Sequence, residues 1–392
     1  MATRKPVSLA KGADNVASTW PDEPDRFKDE HVDPFLMWCV KKNSSDISIQ
    51  TDKPVYNEIG GFLYPAIYRP LDGADMAVFL NRIYGSDAQT RLASGTDLDV
   101  SYEIRPDRYS RMRFRVNITP IQSKGRDAAQ ITMRVLPKEP PTMKDLNIES
   151  DIINNWAPRQ GMVVVTGPTG SGKSTLLAAG NRMLIERPRG CGKMLTYESP
   201  IEFTYDTLYS PRSLISQTEI PRHLPDFAAG VRNALRRKPN IIMVGEARDR
   251  ETISAAIEAA QTGHAVYTTT HTMGVSATIR RMISAFEMKE RSERAYALME
   301  TLRLIVTQSL VPKKGGGRLG VREWMRFPDE VREKLLDMNF EEWGTEIQRM
   351  IPQYGQTMAK SAAIAFEAGI IERRYYLLLT GISSTDGGSG GH

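Results

Sequence analysis

The sequence predicts a two-domain α/β protein. A small α+β domain comes first, then a larger domain built on a sheet with helices on both faces, ending in a helical extension. Three observations carry this reading. The 392 residues are 40% hydrophobic and 25% charged, the makeup of an ordinary globular chain long enough for two or three domains. Pro137, Pro140 and Pro141 interrupt the pattern and mark a connection. Beyond them, short apolar runs alternate with amphipathic helical spacings, which implies a sheet covered on both sides.

Residues 1–30 are polar, rich in Pro, Asp and Glu, and lack periodicity, which predicts a poorly ordered arm. The first domain is expected over 31–137. Phe35, Leu36, Trp38 and Cys39 space as an amphipathic helix, and Asp46–Gln50 alternates as a strand. Gly60-Gly61 is a turn, and Met76, Phe79, Leu80 and Ile83 share a helical face. Arg111–Thr119 and Gln130–Leu136 alternate and are expected to pair around the polar loop Ser123–Asp127. A linker is expected over 138–148 and the sheet domain over 149–320. Its strands fall at Gly161–Thr166, Lys193–Tyr197, Ile241–Val244 and Ala265–Thr270. Phe227, Val231, Ala234 and Leu235 mark one helical face between them, and Ile279, Met282, Ile283 and Phe286 another. Residues 321–380 read as mainly helical, and 381–392 as a flexible Gly/Ser tail.

Composition excludes several classes. No apolar run approaches the ~20 residues of a membrane helix, and the basic start Met1–Pro6 leads into no apolar core, so no signal peptide is expected. Cys39 and Cys191, the two cysteines, support neither a disulfide framework nor zinc. These features point to the cytosol. The net charge of +5 lies in the C-terminal part. A surplus that small supports nucleic-acid binding only weakly; nucleotide phosphates or anionic headgroups explain it as well.

The sharpest motif runs Gly167, Pro168, Thr169, Gly170, Ser171, Gly172, Lys173, Ser174, Thr175 and fits GxxxxGK[ST]. A strand enters it and a helix to Glu186 leaves it, the context in which such a loop binds phosphates. Its glycines let backbone N–H groups wrap phosphates at a helix N-terminus. Lys173 is placed for the β- and γ-phosphates of a nucleotide, and Ser174 for Mg²⁺. Glu246 follows the strand Ile241–Val244. There it either orients an attacking water or faces a helix dipole. Glu198 and Glu202 flank a proline turn and either converge on magnesium or form a solvated acidic turn. His271 ends the strand Ala265–Thr270, where ligands bind in open α/β sheets; it senses phosphate or orients water, or is structural. His264, at the strand's start, reads as a structural pin. Arg111, Arg113 and Arg115 share a strand face by parity and either contact phosphate from a neighbouring surface or face water. The basic group Arg232, Arg236, Arg237 and Lys238 needs no more than dipole compensation at a helix end.

Taken together, GPTGSGKST (Gly167–Thr175), TYESPIEF (Thr196–Phe203), LRRKPNIIMVGEARD (Leu235–Asp249) and AAQTGHAVYTTTHT (Ala259–Thr272) resemble the four ordered motifs of the type II/IV secretion and pilus-motor ATPases. Asp46–Ile49 and Arg113–Asn117 resemble the N-terminal domain of its pilus-retraction-like branch. SQTEIPRHLPDF, GVRNALRRKP and ETISAAIEAA are similar to the type IVB secretion and conjugation ATPases. The resemblance implies a RecA-like P-loop ATPase domain, an α+β (PAS-like) N-terminal domain and a helical extension. It implies ATP and Mg²⁺, a cytoplasmic homohexamer, and peripheral docking on an inner-membrane secretion complex. By resemblance Arg115 and Arg134 match arginines that approach nucleotide, with Arg113 a weaker match.

Departures from the family pattern also speak. Ser199 stands where an Asp is usual, Gly245 replaces the Asp before Glu246, and no four-cysteine zinc module is present. No clear copy of the retraction-motor signature follows the His271 block. Expected, then, is Mg-dependent ATP hydrolysis powering type IVB secretion or conjugal transfer. The alternatives are a pilus assembly or retraction motor, a DNA-translocating ATPase, or a nucleotide-gated scaffold without turnover; intact Lys173 and Glu246 speak against the last.

Overall fold

The computed structural model describes residues 19–108 and 110–381. The basic start and the Gly/Ser tail discussed above lie outside the described residues. The chain divides into two compact units after Lys138.

The N-terminal unit runs α1 (Asp29–Lys41), β1 (Asp46–Gln50), β2 (Tyr56–Ile59), β3 (Phe62–Pro65), α2 (Gly73–Ile83), α3 (Ala88–Ala93), β4 (Leu98–Ile104), β5 (Met112–Ser123) and β6 (Arg126–Leu136). Among the described residues its sheet has six antiparallel strands in the order β3-β2-β1-β6-β5-β4. Alternation does the sorting. Ile47, Ile49, Phe114, Val116, Ile118, Ile131 and Met133 enter the core with Phe35, Leu36 and Phe79 of α1 and α2. The residues between them, including Arg115 and Arg134, occupy the other face.

The expected disordered arm is corrected over its described part. Trp20 and Phe27 are buried in this core, with Phe27 4.8 Å from the Phe79 ring and Trp20 5.2 Å from Phe35. The Glu23 carboxylate accepts from the Tyr68 and Arg69 amides at 2.8 and 3.0 Å. Isolated aromatics can anchor a segment that carries no periodic pattern.

The C-terminal unit runs α4 (Ser150–Asn155), β7 (Gly161–Thr166), α5 (Lys173–Glu186), β8 (Gly192–Glu198), β9 (Ser213–Glu219), α6 (Phe227–Ala234), β10 (Ile241–Val244), α7 (Arg250–Gln261), β11 (Ala265–Thr270), α8 (Val275–Ser284), α9 (Arg291–Thr301), β12 (Leu302–Pro312), β13 (Arg318–Arg326), α10 (Asp329–Leu336), α11 (Trp343–Tyr354), β14 (Gly355–Gln356), α12 (Met358–Glu367) and α13 (Arg373–Thr380). Its sheet, again among the described residues, has the order β14-β13-β12-β7-β11-β10-β8-β9. From β12 to β9 every pairing is parallel, and β13 and β14 add an antiparallel edge. Strand β7 is buried throughout and apolar from Met162 to Val165 because both its faces are covered. Met162 and Val164 join the layer of α6 to α11, and Val163 and Val165 the layer of α4 and α5.

Two boundaries differ from expectation. The sheet does not stop at residue 320, because β13 continues to Arg326 before the helices begin. Its pairing with β12 from Leu304↔Arg326 to Pro312↔Arg318 holds it there. Nor is 138–148 a free linker. Met143 and Ile148 are buried in the C-terminal core, and Arg182 donates to the Pro140 carbonyl at 2.7 Å. The prolines end regular structure, but the apolar side chains between them still find a surface to cover. No helix among the described residues is long and apolar enough to cross a membrane.

Candidate active site

The site forms because four parallel strands end at one edge. Pairing sets Thr166 of β7 opposite Thr270 of β11, and Val244 of β10 opposite Thr268 and Tyr197. The residues at or just past each strand's end therefore lie at the same edge: Gly167, His271, Gly245-Glu246 and Glu198.

Gly167 opens the loop with φ +143°, and a Cβ there would run into the Gln308 carbonyl oxygen. Gly172 precedes α5 at φ +80°, a left-handed conformation open to glycine at little cost. This turn aims the first N–H groups of α5 into the loop, an anion-binding arrangement. Ser174 and Thr175 stand in that first turn. The Ser171 hydroxyl oxygen is buried without a hydrogen-bond partner.

Lys173 is buried. Its ammonium donates to the Gly167 carbonyl at 2.8 Å and the Pro168 carbonyl at 3.0 Å, and lies 3.4 Å from His271 Nδ1. An ammonium only donates, so Nδ1 can take part in this contact only as the acceptor. Nε2 lies 3.6 Å from Glu246 Oε1. Lys173, His271 and Glu246 thus form one line. Burial pulls the Lys173 pKa below the usual lysine range, while the Glu246 and Glu202 carboxylates pull it back up. Glu202 therefore acts on the same ammonium.

Glu198 sits deeper. Its Oε1 accepts from Thr196 Oγ1 at 2.6 Å and Gln217 Nε2 at 3.0 Å, so the two carboxylates of the proline turn do different things. Glu246 is not the cap of the following helix: Asp249 caps α7, accepting from the Thr252 amide at 2.8 Å. His264 is the expected pin, with Nδ1 3.0 Å from the Ala259 carbonyl. Beneath the loop, Thr166 Oγ1 lies 2.6 Å from the Thr272 carbonyl and 3.1 Å from Thr270 Oγ1, tying the ends of β7 and β11 together.

Arg115 and Arg134 belong to the N-terminal unit, where they are direct cross-strand partners on β5 and β6. Like charges set opposite each other destabilise a sheet. Asp46, the neighbour of Arg134 on β1, offsets this with an ion pair at 2.9 Å. Arg113 is buried beside Glu103, 3.6 Å away.

Three supporting residues escaped the sequence reading. Gln217 orients Glu198 from β9, a strand whose mixed pattern gave no signal. Gln308 and Arg322 support the loop from β12 and β13. Gln308, two residues beyond the apolar run Leu304–Val306, was the visible clue to the first.

A glycine-turned loop with its lysine facing a carboxylate, at the carboxyl edge of a parallel sheet, defines a P-loop nucleoside-triphosphate hydrolase. The chain belongs to the Type II/IV secretion system protein family, which it matches over residues 25–360, and it is an ATPase. It is similar to the ATPase DotB of Legionella pneumophila, whose crystal structure shares 48% identity at a TM-score of 0.87 and covers 93% of this chain and 99% of that one. The type IV pilus retraction ATPase PilT of Pseudomonas aeruginosa is 32% identical over 303 residues, 77% of this chain and 84% of the relative. A crystal structure of the pilus retraction motor PilT with bound ADP shares 26% identity at a TM-score of 0.78, over 92% of this chain and 99% of that one.

Proposed function

We propose that this ATPase powers type IVB secretion or the related conjugal transfer. It works as a cytoplasmic homohexamer that docks peripherally on an inner-membrane secretion complex. The observation that carries the reading is the 48% identity to DotB over nearly the whole of both chains. A second reading, a pilus retraction motor, rests on the 32% identity to PilT.

In the proposed cycle the loop N–H groups and Lys173 hold the β- and γ-phosphates of ATP. Glu246 orients the attacking water, with His271 fixing its carboxylate from one side. With Mg²⁺ bound, Ser174 would hold the ion, and Glu202 and Glu198 would orient the water around it. The donors suit that ion, being hydroxyl and carboxylate oxygens. Among the described residues no cluster of three His, Cys, Asp or Glu forms a dedicated cage. When bound, Mg²⁺ neutralises phosphate charge. Arg115 and Arg134 add positive charge to the transferring phosphoryl group.

The test is affinity purification of Glu246→Gln and Lys173→Ala protein from the native cell. Glu246→Gln should bind ATP, hydrolyse it poorly and enrich with inner-membrane secretion components relative to Lys173→Ala. Recovery of a pilus base instead would select the second reading. Recovery of DNA with salt-sensitive affinity would favour a DNA translocator.

A further inference from the structure

The base of the phosphate-binding loop is wired to the Leu146–Glu149 segment near the start of the C-terminal unit. Gln308 Nε2 donates to the Ser171 carbonyl at 2.6 Å. Gln308 Oε1 accepts from Arg322 Nε at 2.8 Å. The rest of the Arg322 guanidinium points to that segment: Nη1 lies 3.2 Å from the Asn147 carbonyl and 3.1 Å from Glu149 Oε2, and Nη2 is 3.1 Å from the Leu146 carbonyl. Both side chains are buried, at 3% and 2% exposure. The loop also folds around Gln308: a Cβ on Gly172 would stand 3.0 Å from Gln308 Nε2, and one on Gly167 would collide with the Gln308 carbonyl.

Burial at this level is costly for a guanidinium. It pulls the Arg322 pKa below the usual arginine range, with Glu149 opposing. A purely structural hairpin would be served as well by apolar residues at both positions. What the polar pair adds is a rigid, directional link. The planar guanidinium fixes three groups of one segment and one amide of another at the same time. Ser171 lies inside the GxxxxGK[ST] loop. Leu146–Glu149 lies in the N-terminal stretch of the C-terminal unit, a few residues after the division at Lys138.

We infer that Gln308 and Arg322 are positioning residues that transmit nucleotide-dependent movement of the Ser171 backbone to the Leu146–Glu149 segment. The inference rests on nucleotide binding at Gly167–Thr175 and adds the route by which that event leaves the site. When the loop closes on phosphate, any displacement of the Ser171 carbonyl must carry the Gln308 amide with it or break a buried hydrogen bond. The amide in turn moves or releases Arg322, and with it three groups of that segment.

The experiment is hydrogen–deuterium exchange across residues 143–153 of the full-length protein, with and without ADP, beside a fluorescent-nucleotide titration. Wild type should show an ADP-dependent change in exchange over this segment. Gln308→Glu keeps an acceptor for Arg322 and removes the donor to Ser171, at the cost of an added charge for which Gln308→Met is the uncharged control. It should bind ADP with a dissociation constant within about threefold of wild type, lose the exchange change, and lose about tenfold in kcat, the scale of one buried carbonyl left without its donor. Gln308→Met, similar in length, removes both bonds and should behave alike. An ADP response in 143–153 that persists in either variant would overturn the inference. So would a wild type that binds ADP without responding there. Wild type that fails to bind ADP would instead overturn the nucleotide site itself, and this inference with it.

Discussion

In the N-terminal unit the buried Asp75 carboxylate is ringed by donors. Arg69 reaches it at 2.6 and 2.9 Å, the Phe27 amide at 2.9 Å and the Asp72 amide at 3.2 Å. In the C-terminal unit Lys173 is buried among carbonyls with its carboxylates at longer range, and Arg322 is buried against two carbonyls, one amide oxygen and the single carboxylate of Glu149. The two settings shift ionisation in opposite energetic senses. Burial pushes the Asp75 pKa up, but the Arg69 guanidinium and the two amides outweigh it and hold the carboxyl below its usual range. Burial lowers the pKa values of Lys173 and Arg322, and nearby carboxylates recover only part of it. The charge of Asp75 therefore stabilises the fold that holds it, whereas the two cations sit where the fold alone would not put them. Charges held against the local preference of the fold mark functional positions.

The first way to break this comparison carries the largest expected effect. Lys173→Met should lower ATP turnover at least about a hundredfold, the scale of removing one preorganised donor from a transition state. Its unfolding free energy should stay within about 1 kcal/mol of wild type, because the lost carbonyl contacts are offset by relief of a desolvated charge. Steady-state hydrolysis and urea unfolding of the full chain measure both. A loss of several kcal/mol would place Lys173 among the structural charges and dissolve the contrast.

Asp75→Ala is the converse. It leaves the Arg69 cation and the Phe27 and Asp72 amides without their acceptor, and should cost about 3–5 kcal/mol in the N-terminal unit. The pH dependence has a defined sign. A carboxyl whose folded pKa is depressed contributes fully above its unfolded value, near pH 4, and loses that contribution as pH falls through the folded pKa. The acid limb of wild-type stability below about pH 4 should flatten in Asp75→Asn. An unchanged limb would show that other carboxylates carry it.

The difference between the units also explains what could be read from sequence. The phosphate-binding loop was legible because its backbone demands glycines at set positions and its chemistry demands one lysine. The parallel strands were legible because β10 and the middle of β7 are apolar on both faces and β11 begins with the run Ala265–Tyr267. Strand β9 was not, because Ser213–Glu219 lies at the sheet edge and mixes polar with apolar residues. Gln308 and Arg322 gave only a faint signal, since a buried polar pair is defined by tertiary neighbours more than a hundred residues away in sequence for Ser171 and Asn147. Trp20 and Phe27 fail for the same reason: two aromatics in a polar stretch have no period, and only the core of the N-terminal unit gives them a place. Parity set Arg113 and Arg115 on one face, but only the register of β5 with β6 makes Arg115 and Arg134 neighbours.

The smallest expected stability effect is at Arg134, and it sharpens the comparison most. Arg134 is two-thirds exposed, at 66%, and among the described residues it forms an ion pair with Asp46. Pairs of this kind contribute under about 1 kcal/mol. Its removal also relieves repulsion from Arg115 across the strand pair, so Arg134→Ala should be close to neutral in unfolding experiments. If the arginine row supplies charge to the phosphoryl group, the same substitution should nonetheless lose most ATP hydrolysis while nucleotide affinity changes little, because an arginine acting in the transition state contributes to rate more than to binding. Arg111 precedes β5 and is the internal control: Arg111→Ala should retain most activity. Arg134→Ala that hydrolyses ATP at the wild-type rate would remove it from the proposed site and leave its row as a solvated strand face. An Arg111→Ala defect equal to that of Arg134→Ala would assign both losses to net charge rather than to placement.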